Sequence, residues 1–191
     1  ILVERPIYDD FLSLYTKHVE AVRLGDPMDE GTEMGPLISE RQRETVSRYV
    51  DVGREEGARV LTGGGIPEGF DRGWYFTPTV LADVDNRWRV AREEIFGPVT
   101  AVIPFDTEED AVRMADESEY GLSGSLWTTN LGRAIRVAQA VRTGVMSVNS
   151  SHSVYVEAPF GGFKRSGLGR ELGMYAMELY TETKNVYFSS E

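Results

Sequence analysis

The sequence predicts an α/β fold, a parallel-sheet sandwich with flanking helices, and three observations predict it. Three strand-like runs, VTAVIPF (99–105), SGSLWTT (123–129) and VMSVN (145–149), are separated by helical stretches, the pattern of crossover-connected parallel strands. The first run is almost continuously apolar, as a strand covered on both faces must be. A chain of 191 residues, 41% hydrophobic and 10% aromatic, has the composition of an ordinary globular domain and can bury roughly 70% of its unfolded surface without staples.

Taken in order, Ile7, Phe11, Leu14, Val19 and Val22 recur at helical spacing, with Asp9 and Asp10 in the first turn, and predict a helix from Ile7 to about Leu24 that Gly25 stops. The Gly-, Pro- and acid-rich stretch from Gly25 to Leu37 reads as a surface loop. Ser39 and Gln42 form a capping-box pattern for a second helix with Val46, Tyr49 and Val50 inward and Gly57 as its exit. A short strand follows at Ala58–Leu61, then a glycine-rich loop to Gly73. WYFTPTVL (74–81) has strand composition, and Pro78 marks it as an edge or an irregular strand. Thr107 and Asp110 cap a helix to about Glu117, and Leu131–Arg142 forms another, closed by Gly144. A loop from Ser150 to Leu168 leads to a helix near Arg170–Leu179, and TKNVYFSS ends the chain as a strand. No repeat, low-complexity segment or linker divides the chain, so a single domain is expected.

The charge balance is 31 acidic residues against 20 basic, −11 in total, the wrong sign for gripping nucleic acid or anionic lipid. No apolar run approaches the roughly 20 residues of a membrane span, and the first residues lack a signal-peptide pattern, so a cytoplasmic protein is expected. With no cysteine, the chain carries no disulfide, thiolate metal site or thiol nucleophile. With only His18 and His152, a histidine metal site is not expected either. The chain opens at Ile1 rather than Met, in a strand running into a helix, and reads as part of something longer.

Two segments invite a chemical reading. PFGGFKRSGLGRELG (159–173) is glycine-rich, but Leu168 follows Gly167 where a phosphate loop needs Lys, and its glycines lack dinucleotide-fingerprint spacing. A nucleophile elbow is also absent, and Ser151, His152 and Ser153 are only sequence neighbours. In AREEIFGPV (91–99), two acids precede an apolar pair and a Gly-Pro turn at the mouth of a strand, where open α/β sheets bind ligands. A carboxylate there accepts the vicinal hydroxyls of a ribose, with Phe96 as a flat apolar face. A solvated surface pair of acids explains the same residues.

EEIFGPV, the stretch YGLSGSLWTTNLGRAIRVAQAVRTGVMSVN and PFGGFKRSGLGRELG, in this order and spacing, resemble the C-terminal half of the NAD(P)-dependent aldehyde dehydrogenase superfamily, and the resemblance runs over essentially the whole chain. It implies a catalytic-domain-like fold over residues 1–183 and a subunit-assembly strand over 184–191. It implies oxidation of an aldehyde to a carboxylic acid with NAD or NADP. By resemblance, Glu94 holds the nicotinamide-side ribose, Phe96 lies beside the nicotinamide ring and Phe160 lines the substrate tunnel. Glu171 resembles a glutamate that orders water near the general base, although a helix N-terminal acid favoured by the dipole is an equal reading. Lys164 and Arg170 read as structural ion-pairing residues. The loop 150–158 lies where family members vary with substrate, so His152, Tyr155 and Glu157 are tunnel candidates against the default of exposed loop residues.

The family attacks its aldehyde with a cysteine thiolate, activates water with a glutamate and holds the dinucleotide on an upstream domain, and none of these parts is present. The chain alone is therefore expected to be inactive, and its partners are the missing N-terminal cofactor domain, the aldehyde and further copies of itself, since an unpaired terminal strand is a template for pairing. The alternative is a non-catalytic dehydrogenase-like binding or assembly module.

Overall fold

In the computed structural model, which describes residues 1–191, Leu2–Glu4 forms strand β1, and a single 3-10 turn (Arg5–Ile7) leads into helix α1 (Tyr8–Glu20). Asp9 and Asp10 sit in the first turn of α1 and Lys17 and His18 in its last, as the helix dipole favours. The helix stops at Glu20, not Leu24, and the backbone of Arg23 is taken up by the loop that follows. Glu33 and Met34 donate their amides to the Arg23 carbonyl, and the Arg23 amide donates to the Glu33 carboxylate. Helix α2 (Glu40–Glu56) begins where the Gln42 amide donates to Ser39 Oγ at 3.2 Å. It ends at Gly57, whose φ of +106° is the left-handed exit that glycine permits.

Strands β2 (Arg59–Thr62), β3 (Thr79–Ala82) and β4 (Val99–Ala101) make a three-stranded sheet with β3 in the centre, antiparallel to β2 and parallel to β4. Pro78 immediately precedes β3, so it removes no ladder hydrogen bond, and the strand it was expected to push to an edge is instead central and wholly buried. Helix α3 (Arg89–Arg92) is one turn between β3 and β4. The apolar run 99–105 is two strands rather than one. β4 pairs with β3, whereas β5 (Ile103–Phe105) pairs in parallel with β1, and Val102 between them donates its amide to Leu81 O.

The sheet is covered on both faces. On one, Val80, Ala82 and Val102 pack with Val3, Tyr8 and Leu12, backed by Phe11, Tyr15 and Val19. On the other, Leu81 meets α2 at Gly53, where Val90 also packs. Thr79, buried in the centre, satisfies its hydroxyl by donating to Thr77 O and accepting from Gly64 N. Tyr8 closes the first face, because its hydroxyl donates to Val102 O at 3.2 Å and accepts from the Asp83 amide at 2.8 Å. Tyr8→Phe leaves the Asp83 amide without its acceptor, while Val102 O keeps the Val84 amide, so urea denaturation is expected to show a loss of about 1 kcal/mol. An unchanged midpoint would mean that water replaces the hydroxyl.

These elements form one unit, Ile1–Ala111, and Val112–Glu191 forms a second. Helix α4 (Glu108–Asp116) runs across the division, with Thr107 Oγ1 accepting from the Asp110 amide and donating to its carboxylate, the cap expected of that pair. In the second unit, β6 (Tyr120–Gly121) and β7 (Ser123–Leu126) follow, then α5 (Leu131–Ala140), capped by the Asn130 side chain, and β8 (Val145–Val148). β7, α5 and β8 are the expected crossover unit, with β7 and β8 paired in parallel and Ala134 and Val137 of α5 buried. β9 (Phe163–Lys164) pairs antiparallel with β6.

The helix expected over 170–179 is a 3-10 turn, Met174–Tyr180. Glu171 spends its amide and carbonyl on Phe160, and Leu172 and Gly173 both have positive φ, so no helix can start earlier. Residues 181–191 are exposed and form no ladder within the chain, so the terminal strand expected there does not form in the chain alone. No helix is long and apolar enough to cross a membrane.

Candidate functional site

The EEIFGPV segment is a tight turn between α3 and β4, and the structure separates its two acids. Glu93 is committed, with its carboxylate accepting from Arg89 Nε at 2.9 Å and Nη2 at 3.0 Å, and from the Tyr49 hydroxyl at 2.6 Å. These donors, Arg89 first, lower the Glu93 pKa to about 2, and the Tyr49 hydroxyl is raised by its bond to the same carboxylate. Glu93 thus holds its charge until pH falls toward about 2, and the network is expected to be unaffected by pH between 5 and 8. Glu94, the next residue, is exposed and takes no part in any hydrogen bond or ion pair. An exposed carboxylate with full acceptor capacity is what a ligand bearing vicinal hydroxyls requires.

Phe96 is 71% exposed and adopts φ +54°. A non-glycine residue in the left-handed region is held at a cost of about 1–2 kcal/mol by its surroundings, and such residues cluster at binding sites. Here the surroundings are the first turns of α2. Gln42 Nε2 donates to Ile95 O at 3.0 Å and to Phe96 O at 2.9 Å, and a Cβ on Gly97 would stand 2.3 Å from Val46 Cγ2. The sequence reading missed this role of Gln42 and gave its side chain to a capping box. Only half of that box forms, with Ser39 accepting from the Gln42 amide while the Gln42 side chain turns to the 95–96 carbonyls. Gln42 lies four residues before Val46 and seven before Tyr49, a single helix face, and that spacing is the signal that was available.

In the second unit, Phe160 and Glu171 are brought together by reciprocal backbone hydrogen bonds, both 2.7 Å. Phe160 is half-buried, and the Glu171 side chain is exposed. Glu171 precedes two positive-φ residues and the 3-10 turn has no acid in its first turn, so its reading as a helix N-terminal acid is corrected. The glycines after Phe160 serve close approach. A Cβ on Gly144 would lie 1.6 Å from Gly161 O, so the bend just before β8 and the Phe160 segment meet backbone to backbone.

Lys164 pairs with Asp116 at 3.4 Å and donates to Asp116 O and Ser118 O, closing the C-terminal end of α4. Arg170 forms no ion pair, contrary to expectation. Its Nη1 donates to Gly162 O and Gly169 O, and its guanidinium lies 5.2 Å from the Phe163 ring centroid, so it buttresses the loop through carbonyls and an aromatic face. In the loop 150–158, Ser147 Oγ donates to His152 O at 2.6 Å, and the His152 ring meets Tyr155 edge-on at 5.1 Å. His152, Tyr155 and Glu157 are exposed.

Comparison with known proteins places the chain in a family. The family model described as the aldehyde dehydrogenase family matches residues 1–186. The betaine aldehyde dehydrogenase of Sinorhizobium fredii (strain NBRC 101917 / NGR234) is 46% identical over 188 residues, 98% of this chain and 39% of that protein. The solved Mycobacterium tuberculosis aldehyde dehydrogenase complexed with NAD+ has a TM-score of 0.92 at 49% identity, covering 95% of this chain and 38% of that one. The NAD+ complex of the Bacillus cereus aldehyde dehydrogenase has a TM-score of 0.95 at 40% identity, covering 100% and 38%. The chain spans about 39% of the length of the curated relatives it matches. With its fold and nearly its whole length matched, this chain belongs to the aldehyde dehydrogenase family.

Proposed function

We propose that this chain is most of the catalytic domain of an enzyme that oxidises an aldehyde to a carboxylic acid with NAD or NADP. The carrying observation is the 93–97 turn, where one acid is locked by Arg89 and Tyr49 while its neighbour is left free beside an exposed, strained phenylalanine. Glu94 accepts hydrogen bonds from the vicinal hydroxyls of the nicotinamide-side ribose. Phe96 offers its ring face to the nicotinamide, which supplies the hydride acceptor when bound. Phe160 borders the aldehyde, and Glu171, tied to it through the backbone, orients water near the general base. The NAD+ complexes of the M. tuberculosis and B. cereus relatives support the cofactor class.

A nucleophile must add to the aldehyde carbon before hydride can leave it, and in this family the nucleophile is a thiolate. The 191 residues hold no cysteine, so the chain by itself is inactive and depends on the remainder of the enzyme, with the N-terminal cofactor domain. Residues 184–191 pair with a second copy of the chain in a homo-oligomer. The absence of cysteine also favours a second reading, a dehydrogenase-like module that binds or assembles without catalysis.

In the full-length enzyme carrying this segment, Glu94→Gln keeps the shape of the side chain and removes its charge. The NAD dissociation constant is expected to rise at least about tenfold with the aldehyde KM little changed. An unchanged NAD affinity overturns the ribose assignment. Failure of the full-length protein to form NADH with any of a panel of aldehydes would favour the non-catalytic module.

A further inference from the structure

We propose that Gln42 is a positioning residue for the cofactor turn, with helix α2 acting as the mould in which the free carboxylate of Glu94 is presented; this rests on the reading of Glu94 given above. Three side chains of one α2 face each grip a successive part of the turn. Tyr49 binds Glu93, Val46 fills the space where a Gly97 side chain would be, and Gln42 holds the two carbonyls between them. Consecutive carbonyls of an extended chain point in opposite directions. For both to reach one amide nitrogen the backbone must curl between them, and Phe96 at φ +54° is that curl.

The chemistry at this position is narrow. A primary amide has two N–H donors, one for each carbonyl. A glutamate would aim lone pairs at carbonyl oxygens, a methionine of similar length has no donor, and an asparagine falls one methylene short. Without the two bonds, the Ile95 and Phe96 carbonyls lose the donor that holds them on one side, and Phe96 relaxes toward an ordinary conformation. Glu94 and the Phe96 ring, either side of Ile95, would then lose their common presentation to a ligand. Gln42 reaches the cofactor only through the backbone of the turn.

The test uses the full-length enzyme carrying this segment, with Gln42→Met, Glu94→Gln and the double variant. NAD binding is read by fluorescence titration, and the turn by amide hydrogen exchange at Phe96 and Gly97. Gln42→Met is expected to raise the NAD dissociation constant about tenfold, to leave the aldehyde KM within about twofold, and to speed exchange at both amides. In the Glu94→Gln background the same change is expected to add little, because the two residues act as one unit.

An NAD affinity within about twofold of the parent, a fully additive double variant, or unaltered exchange at Phe96 and Gly97 each overturns the clamp. If Glu94→Gln alone leaves NAD binding unaltered, the ribose reading fails, and the exchange rates still decide whether Gln42 shapes the turn. Should Gln42→Met not fold, Gln42→Asn, which keeps the amide but shortens the reach, is expected to give the same rise in dissociation constant.

Discussion

Aldehyde and NAD added to the isolated 191-residue chain are expected to produce no NADH above a protein-free control. Addition of a thiolate to the carbonyl converts a planar aldehyde, a poor hydride donor, into a tetrahedral species whose oxyanion expels hydride. A chain with no cysteine cannot take that step. Where a nucleophile has been removed from an enzyme that depends on one, rates have fallen by about a millionfold, below detection in a spectrophotometric assay. Aldehyde-dependent NADH formation that scales with the concentration of the pure chain would overturn the prediction and require another nucleophile.

The second large effect is on stability. Phe76 is 1% exposed and is the largest fully buried side chain, so Phe76→Ala opens a cavity that the surrounding residues fill only in part. A loss of about 3–5 kcal/mol is expected, a large share of the stability of a unit of this size. Urea denaturation followed by circular dichroism measures it, and a loss under about 1 kcal/mol would show that the region repacks. Phe96→Ala is the informative contrast. It removes the same ring from an exposed turn, so the midpoint is expected to stay within about 0.5 kcal/mol while NAD affinity falls.

That contrast shows what a sequence carries. Both phenylalanines stand in short apolar surroundings next to a proline-containing segment, TPTV or GPVT, and local pattern does not distinguish them. Burial does, and burial is set by which distant elements cover a residue. The same holds for Glu93 and Glu94. As adjacent acids they are equivalent on paper, and they became different only when α2 brought Tyr49 against the first, 44 residues away in sequence.

Local chemistry, by contrast, was legible. Ser39 and Thr107 are caps because a short oxygen-bearing side chain can reach an amide three residues ahead whatever the rest of the protein does. Gly57 ends α2 for an equally local reason. The β7–α5–β8 crossover was also readable, since helical and alternating periodicities were strong and its connections short. The α/β class and the family followed from such features and from three segments in order.

Sequence by itself determined these local and ordered features, together with the absence of a thiol. Tertiary structure alone decided that the run 99–105 serves two sheets, that Pro78 precedes a central strand, and that Arg170 braces carbonyls rather than an acid. It also decided that the Gln42 side chain holds the Ile95 and Phe96 carbonyls instead of closing its own cap. The physical reason is common to all four. A side chain or backbone group with more than one available partner takes the one that burial and distance leave within reach, and those are properties of the folded chain as a whole.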